Sequence, residues 1–360
     1  MENNLQIQKR ENLIQSKERN YSIDILKFLA SIAVVAVHVE SNYRFLEFTQ
    51  GTLLWDVSIL INIFSKWAVP IFFMSSGYFL LNTRNFEYKE FIKKRFSKVL
   101  IPFIVMSFLF TIHYQHLSGN VSLKWGIIGL IKNLLGYPAS AHLWFLYPIL
   151  AIYILIPVFK GILDKLDSKL MLTIILSCFL VKTIIPFTDI IASGQTNYWR
   201  EIPLITNAAT LYFILGGYLG RVNLSKNFKL GLYLATIAIM ILSVFSVYKV
   251  EFLYNRNLEV LFDISSINNL LLSVTLFTLF KDIKFKKLSS SKIFTRIMKV
   301  LSDVNFGIFL LHPIFIDFTK SIFSKGNILV ELVNQTIMVY TLTFTTVYII
   351  KKIPILKRIV

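Results

Sequence analysis

Tyr21-Ser-Ile-Asp24-Ile-Leu-Lys27-Phe-Leu-Ala-Ser-Ile-Ala-Val-Val-Ala-Val-His38 decides how this chain is read. Thirteen of these eighteen residues are apolar, and they surround the helix rather than forming one stripe. With the residues through Ser41 the stretch reaches the length of about 20 residues that a helix needs to cross the hydrocarbon core of a bilayer. It also carries three ionisable groups, Asp24, Lys27 and His38. Charged groups inside a span are costly and mark function more often than those on a soluble surface.

The same length criterion, applied outward, finds about ten apolar stretches. They are Tyr21 to Ser41, Val57 to Leu81, Val99 to Tyr114, Leu143 to Phe159, Leu170 to Ile190, Ile205 to Gly220, Leu230 to Tyr248, Val260 to Phe280, Val300 to Phe318 and Ile328 to Ile350. A further apolar segment, Trp125 to Leu135, is too short to span and lies on the outer surface or dips in. Composition agrees. The chain is 55% hydrophobic and only 16% charged, whereas soluble domains carry about 25% charged residues. The expected fold is an all-α membrane protein of about ten transmembrane helices.

The net charge of +18 is explained by where the basic residues fall. With the N-terminus in the cytoplasm, 27 of the 38 Lys and Arg lie in inner loops and tails, and eight lie in outer segments. That asymmetry sets the orientation, and an even number of spans puts both termini inside. The same pattern argues against a nucleic-acid partner, because basic loops at an anionic leaflet account for the charge. Residues 1–20 form a polar cytoplasmic tail with no cleavable signal, 21–350 the membrane domain, and 351–360 a basic cytoplasmic tail. Cys178 stands alone in an apolar run, so no intrachain disulfide is expected.

Lys27 and His38 are eleven residues apart. On an α-helix that puts them about 20° apart around the axis and about 16 Å apart along it. They share a face, with Lys27 toward the cytoplasm and His38 in the outer half; Asp24 sits one turn before Lys27 and can pair with it. Alone, Lys27 reads as a snorkelling lysine and His38 as a packed interior histidine. Two further histidines alter that balance. His142 opens the fourth span from outside and His312 closes the ninth toward the outside, so topology carries all three to the outer leaflet. Histidine transfers protons near neutral pH. No two of the three have helical ligand spacing, so no metal is expected. Lys66 and Asp317 also fall in the outer halves of their spans, while His113 and His116 read as loop residues. On the opposite face Lys93-Lys94-Arg95-Phe-Ser-Lys98 leads into the third span. Positive-inside topology explains most of that charge; the functional alternative is a phosphate-binding rim.

In order and topology these elements resemble the acyltransferase-3 family of membrane acyltransferases. The resemblance runs from Tyr21 to about Phe315. It rests on Lys27-x10-His38, on Lys66-Trp-Ala-Val-Pro-Ile-Phe-Phe-Met-Ser-Ser-Gly-Tyr78, on Arg95-x-x-Lys98 followed by Pro102, on His142-Leu-Trp-Phe-Leu146 and on Phe306-Gly-Ile-Phe-Leu-Leu-His312. Lys27 and Lys98 stand where arginine is common in the family, which removes bidentate phosphate geometry. The esterase-like domain that some members append is not expected here.

The resemblance implies an acyl-CoA-dependent O-acyltransferase of the bacterial plasma membrane. It would move an acyl group, usually acetyl, from cytoplasmic acetyl-CoA to a hydroxyl of an extracytoplasmic glycan, lipid-linked glycan or cell-wall polymer. Transfer would be direct or through a separate extracytoplasmic partner. Lys27, Lys94, Arg95 and Lys98 would hold the donor. His38 would act as base or acyl carrier, with His142, His312 and Lys66 completing the catalytic set, Lys66 or His142 at the oxyanion. A polysaccharide or lipid-linked glycan exporter is the alternative. It would need a polar path lined along its whole length, whereas the polar residues here cluster at one site on each face.

Overall fold

The computed structural model describes residues 19–44, 53–83, 87–119, 121–136, 138–193, 207–254, 263–323 and 328–360. Among these the fold is all-helical, with no strand. The longer helices are α1 (Tyr21–Arg44), α2 (Leu53–Ser65), α3 (Ala68–Leu81), α4 (Ser97–Leu117), α5 (Leu123–Leu134), α6 (Leu146–Lys165), α7 (Ser168–Ser193), α8 (Ala208–Arg221), α9 (Lys226–Tyr254), α10 (Ile267–Asp282), α11 (Lys292–Thr319) and α12 (Ile328–Lys352). Six helical segments are long and apolar enough to cross a membrane: Tyr21–Ser41, Asp56–Leu81, Tyr88–Leu117, Ala141–Lys165, Lys226–Lys249 and Lys292–Thr319. Helices α7, α8, α10 and α12 occupy the other four expected stretches where those are described. Of the expected polar tail over residues 1–20, all but Arg19 and Asn20 lies outside the described residues.

Helix α1 packs against α2, α3, α10, α11 and α12. Its apolar residues Ile23, Leu26, Ala30, Val34, Val35 and Val39 are almost wholly buried, which is why the stretch is apolar all round. α1 and α11 run side by side in the same direction. At one end the Ser302 hydroxyl donates to Asp24 (3.2 Å). At the other the His38 and His312 rings meet edge to face. Ser31 and Tyr340 join α1 to α12 through their hydroxyls (3.0 Å).

α3 and α8 cross at backbone contact. A Cβ on Gly77 would lie 1.7 Å from the Phe213 carbonyl oxygen, and one on Gly216 would lie 2.0 Å from the Met74 carbonyl oxygen. Small residues allow this approach, and in a membrane van der Waals packing is a main source of helix association. The Arg221 guanidinium fastens the end of the pair by donating to the carbonyls of Leu81 (2.9 Å) and Leu163 (2.7 Å).

One expectation changes and another gains detail. The third span, expected over Val99 to Tyr114, is helical from Tyr88 through Leu117. The basic run before Val99 is not a loop: Ile92–Phe96 forms a π-helical turn within the same rod. Such turns recur at functional sites because they redirect side chains within a helix. The short segment Trp125 to Leu135 becomes α5, which folds back along α4. Gly126 sits over Phe108 and Ile112, Gly129 over Thr111, and Asn133 donates to the Ser107 carbonyl (3.2 Å). An amide–carbonyl bond of that kind satisfies polar groups that lipid cannot.

Candidate active site

Three side chains from three elements converge at one end of the bundle. The rings of His38 and His312 have centroids 4.8 Å apart at 60°, and those of His142 and His312 are 5.4 Å apart at 70°. His38 comes from α1 and His312 from α11. His142 comes from the 3-10 turn Ala141–Phe145 that precedes α6. In a 3-10 turn residues three apart eclipse one another, so His142 and Phe145 face inward together while Trp144 is turned out.

Hydrogen bonding assigns the tautomers. The Nδ1 of His38 is 2.8 Å from the Val34 carbonyl, and the Nδ1 of His312 is 3.0 Å from the Ile308 carbonyl. A carbonyl only accepts, so each Nδ1 carries the proton and each neutral ring presents an unprotonated Nε2. The Nε2 of His312 is buried with no hydrogen-bond partner among the described residues. His142 differs. Its Nε2 donates to the Leu310 carbonyl (3.1 Å), so its Nδ1 accepts from the Ser140 hydroxyl (2.8 Å). The Ser140 oxygen in turn takes the proton of the Tyr114 hydroxyl (3.1 Å). Both nitrogens of His142 are thus engaged, and the ring is held rather than offered.

Lys66 lies in the turn between α2 and α3, half-buried and near His38. His113 and Asp317, read separately in the sequence, are hydrogen-bonded (2.9 Å) between α4 and α11. His116 is exposed. Among the described residues no three His, Cys, Asp or Glu side chains are disposed to hold a metal ion.

The basic residues converge on a cavity of about 840 Å³ at the other end of the same helices. Lys27, Lys94, Arg95 and Lys98 all line it. Lys351, Lys357 and Arg358 join them, which in the sequence read as inner-face tail charge alone. They arrive because the chain after α12 turns back: the Lys351 ammonium donates to the Val360 carbonyl (2.7 Å), and Val360 is buried against Gly307. Among the described lining residues these seven cations face one side-chain carboxylate, Asp303. Asp24, as expected, pairs with Lys27 (2.8 Å); it also takes a bond from Arg19 (2.6 Å). Such a site suits a polyanion.

The cavity stops one aromatic ring short of the histidines. Phe72, Phe145 and Phe309 line it, and none of His38, His142 and His312 does. The Phe309 ring lies 3.9 Å from Phe145 and 6.1 Å from Phe72 on the cavity side. On its other side it lies 6.0 Å from His312 and 6.3 Å from His142. Lys27 and His38 do share a face of α1, but Lys27 lines the cavity and His38 does not.

A family model described as an acyltransferase domain matches residues 20–351. A curated protein of Enterococcus faecalis described as an amino-acid racemase is 32% identical over 133 residues, which are 36% of this chain and 18% of that protein. No solved structure matches the chain. A match over almost the whole length, on an all-helical chain with six apolar helices long enough to cross a membrane, leads to one conclusion: the chain belongs to the acyltransferase-3 family of membrane acyltransferases.

Proposed function

We propose that this protein transfers an acyl group, usually acetyl, from cytoplasmic acyl-CoA to a hydroxyl of an extracytoplasmic glycan or lipid-linked glycan. It does so from the plasma membrane, through about ten spans with both termini in the cytoplasm. The observation that carries this reading is one cavity whose lining runs from seven cations to the aromatic group next to the histidines. Its charge suits the phosphates and 3′-phosphorylated nucleoside of coenzyme A. Its apolar walls at Phe72, Ile149 and Phe306 suit a thioester arm.

His38 takes the proton of the acceptor hydroxyl on Nε2, since its Nδ1–H is committed to Val34. The oxygen attacks the thioester carbonyl, the C–O bond forms and the C–S bond breaks. The thiolate leaves and is protonated to coenzyme A. Lys66 stabilises the oxyanion. His142, with both nitrogens bonded, positions the His312 ring, which in turn packs on His38. The reaction requires the Phe145–Phe309 contact to part, because these rings line the cavity and His38 does not.

An exporter needs a continuous polar path, and the aromatic closure of the cavity favours transfer over export. The Enterococcus faecalis relative is named for an amino-acid substrate, which makes a hydroxyl-bearing amino acid the second acceptor class to assay. Radiolabelled acetyl-CoA, supplied to one side of proteoliposomes with glycan or serine on the other, tests the proposal. Label in the acceptor, lost in His38→Ala, supports it; acceptor movement without label overturns it in favour of export.

A further inference from the structure

The side of α11 that meets α1 reads Ser302, Asn305, Phe309, His312, residues three or four apart and so on one face. Ser302 is tied to Asp24 at the cationic end, and His312 stands among the histidines. Asn305 lies between them, about 10 Å along the axis from His312. It lines the cavity and is only 4% exposed. Yet neither its Nδ2 nor its Oδ1 has a hydrogen-bond partner among the described residues. Buried polar groups are nearly always paired, and an amide left with both atoms unmet needs a reason.

A primary amide side chain offers one acceptor oxygen and two donor hydrogens side by side. Its natural complement is a secondary amide, which presents one N–H and one C=O. We propose that Asn305 is a recognition residue for the secondary amides in the arm of a pantetheine-type thioester donor, holding that arm between the cationic mouth and the Phe309 ring. This rests on the acyl-CoA reading above and adds to it. The cations recognise charge and would take any polyphosphate, whereas Asn305 distinguishes a thioester with an amide-bearing arm from a nucleotide without one.

The full chain in nanodiscs is titrated calorimetrically with coenzyme A and with adenosine 3′-phosphate 5′-diphosphate, which keeps the phosphates and lacks the arm. Asn305→Leu is expected to weaken coenzyme A by about tenfold, the worth of one or two buried hydrogen bonds. It is expected to leave the nucleotide unchanged and to keep or raise the melting temperature of the unliganded protein, since it removes an unpaired buried group. A merely structural asparagine would lower that temperature. Should Asn305→Leu not fold, Asn305→Ala removes both amide atoms without adding bulk or charge and is expected to show the same selective loss. Coenzyme A affinity unchanged in the variant, or both ligands weakened equally, overturns the role of Asn305. A wild-type protein that binds neither ligand overturns the donor reading beneath it.

Discussion

The imidazoles of His38 and His312, 274 residues apart in the chain, lie edge to face with centroids 4.8 Å apart. Each donates its Nδ1–H to a carbonyl four residues back in its own helix, so each turns an unprotonated Nε2 away from its helix. The two helices that carry them are parallel neighbours, and the pairing depends on their register.

The first prediction concerns that pair. His38→Ala is expected to lower acyl transfer by about 10²–10⁴-fold, the usual worth of a positioned base, with membrane insertion and coenzyme A affinity retained. His38→Gln is expected to do the same, because it restores volume and not basicity. Single-turnover transfer from radiolabelled acetyl-CoA measures this, and normal transfer in either variant would remove His38 from the chemistry.

Ser140 offers a subtler test. Ser140→Ala removes the donor to the His142 Nδ1 and the link to Tyr114. The expected result is a fall in kcat of roughly tenfold, equivalent to one buried hydrogen bond, with KM for the donor unchanged. A change in KM alone would place His142 in donor binding instead.

The tail cations give a third prediction. Lys357→Ala and Arg358→Ala are expected to raise KM for the donor several-fold each with kcat unchanged, the signature of uniform binding. The effect should shrink as salt is raised, since the mouth is exposed to screening. Donor KM insensitive to both substitutions would return residues 351–360 to the role of a topogenic tail.

A fourth prediction tests the scaffold. Gly77→Ala places a methyl group against the Phe213 carbonyl, where no flexible side chain can yield. Overpacking of this kind costs about 1–3 kcal/mol, and a lowered melting temperature in detergent is expected. Gly231→Ala, whose Cβ would meet nothing within 4 Å, is the control.

The helices were legible because bilayer thickness imposes a length on each apolar run, and no tertiary information is needed to see it. The meeting of His38, His142 and His312 was legible as a shared side of the membrane, since alternating spans sort residues by depth. What topology does not fix is lateral position. Lys351, Lys357 and Arg358 looked like ordinary inner-face charge, because nothing in their spacing tells that the chain turns back into the cavity mouth. Asn305 was passed over for a similar reason: one polar residue in a span reads as helix glue until its atoms are seen to have no partner. Phe309 lay inside a quoted motif, yet its place between cavity and histidines depends on contacts from Phe72 and Phe145, over 160 residues earlier in the chain.

The Phe145–Phe309 contact has an electrical consequence. A water-filled space that reached from the cationic mouth to the histidines would be a wire for protons, and each charge that crossed would dissipate about 2.3 kcal/mol per 100 mV of membrane potential. In the proposed mechanism the Phe145 and Phe309 rings, with centroids 3.9 Å apart, hold that route closed until substrate parts them. On that reading the cationic chamber stays hydrated without becoming a leak for protons.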